Sequence, residues 1–185
     1  MTLNITDWLA DFCADADVEV AEIGATATQL AQLEQDLGIP LSASHKDCLQ
    51  IWDGAADFDS WQILSIAEIR DGVKYWGFQA GESKVGGADY PFIYRAKPLA
   101  LLPFAQPLES ADLFCFDTRE FRDGEYAIVK YDHEVGEVDK KYPSFAAFLQ
   151  DRALDMTEDL EYFMGDSEDD EAAVRICEEW VRRLR

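Results

Sequence analysis

A histidine among carboxylates is the first candidate for chemistry in this sequence of 185 residues. His133 follows Asp132, and Glu134 and Glu137 come directly after it. Imidazole and carboxylate groups together are ligands that suit zinc. A solvated turn is the alternative, because charged residues are common in turns and these lack the i, i+4 spacing of helical metal ligands. We interpret the segment as a turn and predict no metal site.

The second histidine, His45, lies on the apolar side of a predicted helix. It shares that side with Cys48, Leu49 and Trp52. The alternative is a functional imidazole, but a histidine on the apolar face of a helix is more often a packed residue. We therefore predict that His45 is a packed, hydrogen-bonded residue of the core.

The glycine-rich segment GESKVGG (81–87) resembles a phosphate-binding loop only superficially. Such a loop needs a glycine directly before its lysine, whereas Ser83 precedes Lys84 here. With 38 acidic residues, moreover, some pair of carboxylates will always be close in space, so no acid–base pair can be identified. We predict that the protein is not an enzyme and that it uses no cofactor.

The charge balance is strongly negative, with 16 basic and 38 acidic residues and a net charge of −22. Such a field repels nucleic acid and anionic membranes and attracts basic proteins, although it also serves solubility. The four cysteines are too far apart for a metal or redox pair, and each lies in an apolar stretch: Cys13, Cys48, Cys115 and Cys177. Reduced cysteines, no signal peptide and no apolar run of about 18 residues predict a cytoplasmic protein.

Helices are predicted first along the chain. Apolar spacing predicts one at residues 5–13. A second begins at a capping box of Thr26 and Gln29 and ends at Gly38. A third carries His45 and ends just before Gly54. A short strand at 61–64 follows, and then a capping box of Ser65 and Glu68 predicts a short helix. Residues 77–90 contain four glycines, which predicts a loop there, within an insert at 77–97.

Strands and then helices make up the remainder. Apolar segments rich in aromatic or β-branched residues predict strands at 99–104, 113–116 and 126–131, with a further strand at 137–138. Helices are predicted from Pro143 to about Met164 and over 173–184. This order predicts one α+β domain over 1–185, with N-terminal helices, a mostly antiparallel central sheet and C-terminal helices packed on it.

Asp117 follows the predicted strand 113–116 and precedes Thr118 and Arg119. One interpretation is an Asx-type turn that ends the strand, because aspartate forms such local hydrogen bonds readily. The other is a carboxylate that faces a partner at the strand end. We favour the turn and keep the partner contact as a hypothesis.

Four stretches occur in the order found in one known superfamily. They are QLAQLEQDLG (29–38), CLQIWDG (48–54), LLPFAQPLESADLFCFDTR (101–119) and YAIVKYDHEVGE with YPSFAAFL (126–149). Through them the chain resembles the SUKH superfamily over about residues 26–150. That group includes bacterial immunity proteins and relatives of fungal cell-wall-assembly regulators. A C-terminal helical extension, 155–185, then lies outside the resemblance.

The resemblance implies a helix-flanked sheet that binds proteins and holds no cofactor. Bacterial members bind a cognate toxin, often a nuclease or another enzyme, and block it. The acidic composition adds that the partner is a basic protein surface, and a stand-alone regulatory or scaffold protein is the alternative. The oligomeric state stays open. Our candidate partner-binding residues are acids and one tryptophan near predicted turns: Asp53, Asp57, Asp59, Trp61, Asp112, Asp117, Glu134 and Glu137.

Overall fold

The computed structural model of the protein describes residues 24–58, 61–71, 101–108, 110–132, 134 and 137–163. The helices are α1 (Ala27–Leu37), α2 (Ala43–Ile51) and α3 (Phe145–Phe163), with a further helical segment at 66–71. The strands are β1 (Ala55–Phe58), β2 (Trp61–Ile63), β3 (Leu101–Pro107), β4 (Leu113–Arg122), β5 (Glu125–Asp132) and β6 (Glu137–Tyr142). This order confirms the α+β class. The predicted helices at 5–13 and 173–184 and the insert at 77–97 lie outside the described residues.

The six strands form one sheet in the order β1-β2-β3-β4-β5-β6, and every neighbouring pair is antiparallel. In such a meander, the connections β1–β2, β3–β4 and β5–β6 all lie at the same end of the sheet. The sequence did not predict β1, because Ala-Ala-Asp-Phe has no β-branched residue and little strand propensity.

Strand β4 is longer than its sequence predicts, and it does not end at Asp117. Asp117 is paired with both Leu101 and Ala127, and pairing resumes at Phe121 opposite Tyr126. Residues 118–120 therefore form a bulge in the strand. The local hydrogen bond of the predicted turn is present, from the Arg119 N–H to Asp117 Oδ1 at 3.2 Å. The prediction that the strand ends at Asp117 was wrong, because β4 pairs with β5 again after the bulge.

The alternation of side chains along the strands separates two apolar clusters. On β4, Phe114 and Phe116 belong to a cluster that α1, α2 and α3 share. This face of the sheet is called the helix face. The odd-numbered residues Leu113 and Cys115 point to the opposite face, because successive side chains alternate along a strand. The second cluster, on that opposite face, consists of Leu101, Leu113, Cys115, Val129 and Tyr131.

Local signals define α1. Thr26 caps it as predicted: its hydroxyl accepts the Gln29 N–H at 3.3 Å, and the Gln29 side chain accepts the Thr26 N–H at 2.9 Å. At the other end Gly38 adopts a φ of 72°, and its N–H donates to the Glu34 carbonyl at 2.9 Å. Both predicted ends of α1 are confirmed.

The N-terminus of α2 is capped by a distant hairpin. Ser42 precedes the helix but makes no side-chain cap of its own. The Glu125 carboxylate instead accepts the Ser44 N–H at 2.8 Å and hydrogen bonds from both serine hydroxyls. Glu125 follows a two-residue turn in which Asp123 and Gly124 have φ of 53° and 84°, which is the backbone of a tight hairpin. The β4–β5 hairpin thus positions α2 on the sheet.

Candidate partner-binding surface

Four of the eight candidate contact residues have described side chains at one end of the sheet. Trp61 begins β2 opposite Pro107, and Asp112 directly precedes β4. Glu134 lies between β5 and β6, and Glu137 begins β6. We call the end defined by these four residues, together with Asp132, the acidic end. The meander brings residues 76 positions apart to one surface, which the sequence could not show.

The acidic end carries more negative than positive charge. Glu134 and Glu137 are exposed, while Asp112 is mostly buried, with 13% of its side chain accessible. The Asp112 carboxylate forms an ion pair with Lys130, at 2.8 Å from Oδ2 to Nζ. The Asp132 carboxylate accepts the Glu134 N–H at 2.9 Å. Glu134 and Glu137 are therefore the carboxylates best placed to meet a partner.

Trp61 is a packed residue. Its ring lies against Phe114, with 4.4 Å between centroids, and it borders the helix-face core. The side chain is only partly exposed. Trp61 therefore acts mainly as a packing residue beneath the acidic end.

Two exposed aliphatic residues at the acidic end were not among the candidates. Leu108 directly follows β3 and is 50% exposed, and Val138 on β6 is 38% exposed. Val138 pairs with Tyr131, one step from the β5–β6 turn. Protein interfaces typically combine an apolar centre with a polar rim. In sequence, single aliphatic residues next to a turn give no sign of exposure.

Asp53 and Asp117 do not join the acidic end. Asp53 follows α2, and its Oδ1 accepts the Ile66 N–H at 2.7 Å. Asp117 is buried on the opposite face and holds the Arg119 guanidinium by two hydrogen bonds of 2.8 Å. These bonds and the Asp117 charge raise the pKa of Arg119. The backbone of Asp57 lies in β1, its side chain is outside the described part, and Asp59 is outside the described residues altogether.

Helix α3 runs toward the acidic end across the helix face. Its Phe145 lies against Phe116, with 6.0 Å between centroids, and one turn later Phe148 lies 4.8 Å from Phe114. Leu154 still packs against the core. The extension that we predicted to begin at 155 therefore starts inside a helix that continues to Phe163.

A polar cluster fastens α3 to β6. The Tyr142 hydroxyl donates to Asp151 Oδ2 at 2.6 Å, and Arg152 reaches Asp151 and Asp155 at 2.9 and 2.7 Å. Burial alone would raise the pKa of Asp151, but the hydrogen bonds from Tyr142 and Arg152 and the arginine charge outweigh it and lower that pKa. Burial and the bond to Asp151 raise the pKa of Tyr142.

The groups that suggested chemistry form no reactive arrangement within the part of the chain that the structure describes. His45 is buried in the core as predicted, but the predicted hydrogen bond is wrong, since both ring nitrogens lack a partner there. Aromatic rings surround the imidazole instead. Among the described residues, no three His, Cys, Asp or Glu side chains lie close enough together to hold a metal ion. His133 and residues 81–87 lie outside them.

Cys48 and Cys115 are buried and form no disulfide among the described residues, and burial raises the pKa of the Cys115 thiol. An unreactive thiol is the expected result. Among the described helices none has the length and apolar character needed to cross a bilayer.

A six-stranded antiparallel meander with helices on one face, and a charged surface built from its turns, defines an α+β domain of the helix-backed sheet class. Residues 24–151 match the SMI1 / KNR4 family (SUKH-1). The match spans more than half of the chain, so the protein belongs to this family. A comparison with curated proteins finds no match.

Proposed function

We propose that this protein is an immunity-type binding protein, which neutralises a cognate bacterial toxin by binding it and covering its active site. The observation that carries the proposal is the acidic end, where Glu134 and Glu137 are exposed at the same end of the sheet as Leu108 and Val138. Membership of the SUKH-1 family supports it, because the resemblance implies a protein-binding fold. In this proposal the protein performs no reaction and needs no cofactor.

The negative charge of the acidic end favours a partner with a basic surface. A toxin that cleaves nucleic acid must bind a phosphate backbone, and its cleft is therefore basic. The net charge of −22 attracts such a cleft over long range and speeds the encounter. Glu134 and Glu137 then take the place of phosphates, and the substrate is excluded.

Apolar contacts would hold the complex once it has formed. Charged pairs at an interface rim change mainly the association rate, whereas buried anchors change the dissociation rate. Leu108 is the most exposed large apolar side chain in the described part of the chain. We assign Leu108 and Val138 the anchoring role and the two glutamates the steering role.

The test uses the product of the neighbouring gene, purified as a candidate toxin, and the full-length protein. Glu134→Lys should slow association about 3- to 10-fold at low salt. The matched control, Asp47→Lys, makes the same charge change at an exposed position on α2 and should change the rate less than about 2-fold. Leu108→Ser should speed dissociation and leave the salt dependence of association unchanged.

Protection from toxicity on co-expression completes the test. If the neighbouring protein neither binds nor is neutralised, the toxin assignment fails. If it binds but Glu134→Lys and Asp47→Lys slow association equally, binding uses net charge alone and the acidic end is not the contact.

A further inference from the structure

The imidazole of His45 is fully buried and is surrounded by three phenylalanine rings, which we call the aromatic cage. It is 0% exposed, and its ring centroid lies 4.7 Å from that of Phe145, 5.0 Å from Phe116 and 6.0 Å from Phe104. These three rings come from α3, β4 and β3. His45 therefore sits where α2 meets both the sheet and the last helix.

Neither ring nitrogen has a hydrogen-bond partner among the described residues. A buried polar group without a partner is destabilising, and a buried charge without one is far more so. Protonation of His45 inside the cage would create such a charge.

No ionisable group in the described residues compensates it. The residues that face the ring from α3, β4 and β3 are phenylalanines. On α2 itself, Lys46 pairs with Glu34 of α1 at 3.1 Å, and Asp47 is exposed. From β5, Glu125 is engaged with the N-terminus of α2. The carboxylates near α2 thus have other partners or point into solvent.

We propose that His45 is an acid-sensitive latch: the neutral ring packs α2 against the sheet, and protonation of the opened state makes opening of α2 progressively more favourable as the pH falls below about 6. The helix has nine residues, which is too short to persist without its packing. Release would free the ring and expose Cys48 and Leu49, the other core residues of α2. The latch is a property of the chain alone, so its test is independent of the proposed function.

The direction of the pH effect follows from which state of the protein binds a proton. Burial lowers the pKa of His45 to about 3, from 6.5 in an exposed ring. The closed state therefore binds no proton at pH 5, while the opened state binds one. The stability of the closed state is therefore greatest above pH 6.5 and falls progressively as the pH falls toward 3.

Amide hydrogen exchange on the full chain tests the latch at about pH 7 and about pH 5, after correction for intrinsic exchange rates. The opening constant of α2 amides should rise about 30-fold between these conditions. Amides of Cys115 and Val129, in the sheet, should change much less. In His45→Phe, α2 should open equally at both pH values. A similar acid response in that variant, or an equal response of α2 and the sheet, would overturn the proposal.

A second measurement keeps the proposal testable if His45→Phe does not fold. The ring protons of His45 in the unaltered protein are followed by NMR, with His133→Asn used to assign the other histidine. While the protein remains folded, the His45 signal should not move between about pH 7 and about pH 5. A signal that titrates near pH 6.5 with the fold intact would show that the ring accepts a proton in place, and the latch would be wrong.

Discussion

The carboxylate of Asp53 and the backbone of Ile66 are hydrogen bonded, with 2.7 Å between Oδ1 and N. Ile66 is the first residue of the helical segment 66–71, which also has the predicted capping box of Ser65 and Glu68. Asp53 therefore ties the end of α2 to the start of the next helix across β1 and β2. Asp53, which the sequence suggested as a partner contact, therefore has a structural role in connecting these two helices.

Replacing Asp53 should lower stability. Asp53→Ala removes a capping acceptor and should reduce the free energy of unfolding by about 1 kcal/mol, measured by urea denaturation. Asp53→Asn retains the accepting oxygen and should cost less. If Asp53→Ala weakened partner binding while the unfolding curve stayed the same, Asp53 would be a contact residue after all.

Gly54 should tolerate no side chain. Its φ is +95°, and an added Cβ would lie 2.8 Å from the Ser65 nitrogen. Gly54→Ala should therefore destabilise the protein by about 3 kcal/mol, from backbone strain and the forced shift of Ser65 together. Gly38 is the matched control, since its φ is +72° but nothing lies within 4 Å of an added Cβ. Gly38→Ala should cost about 1 kcal/mol, and equal losses in thermal unfolding would refute the steric argument.

Glu125 should contribute through the cap that it provides for α2. Glu125→Gln keeps the shape of the side chain but removes one accepting oxygen and the charge that favours a helix N-terminus. It should lower the free energy of unfolding by about 1 kcal/mol. Asp47→Asn removes the same charge from an exposed site on α2 and should change stability by less than about 0.5 kcal/mol. Equal effects would show that only net charge matters.

Tyr142 should control the titration of Asp151. The hydroxyl donates to the carboxylate at 2.6 Å, and Tyr142→Phe removes that bond while keeping the ring. The pKa of Asp151, followed by carbon-13 NMR of the carboxyl group, should rise in the variant.

The lowered pKa of Asp151 also predicts how the stability of the protein depends on pH. Because the Asp151 pKa is lowered in the folded protein, its contribution is present above the ordinary carboxyl range and is lost as the pH falls through the folded pKa. The difference in stability between the parent and Tyr142→Phe should therefore be larger at neutral pH than in acid. A constant difference across that range would contradict the link.

Prediction from sequence succeeded where the deciding partners are close along the chain. The capping boxes at Thr26 and Ser65 join residues three apart, so composition and spacing suffice to find them. The burial of His45 followed from helical periodicity in the same way. Its missing hydrogen bonds did not, because the three rings that surround it come from distant elements.

The candidate surface shows the same division. That Glu134 and Glu137 lie near a turn is a local property, and their exposure agrees with it. That Asp112 and Trp61 lie at the same end depends on the order of six strands. Asp117 looked equivalent to them in sequence, yet its carboxylate is buried against Arg119, because β4 continues past it through a bulge.

By itself, the sequence determined the α+β class, the ends of α1, the main strands and the burial of His45, because hydrophobic period and short-range hydrogen bonds set all of them. Only the tertiary structure decided which acids share a surface and which caps are made from afar. Glu125 and Ser44 are 81 positions apart, and no local sequence pattern indicates that Glu125 will cap the helix that contains Ser44. Such pairs form when strands align and helices pack, and both depend on the whole chain at once.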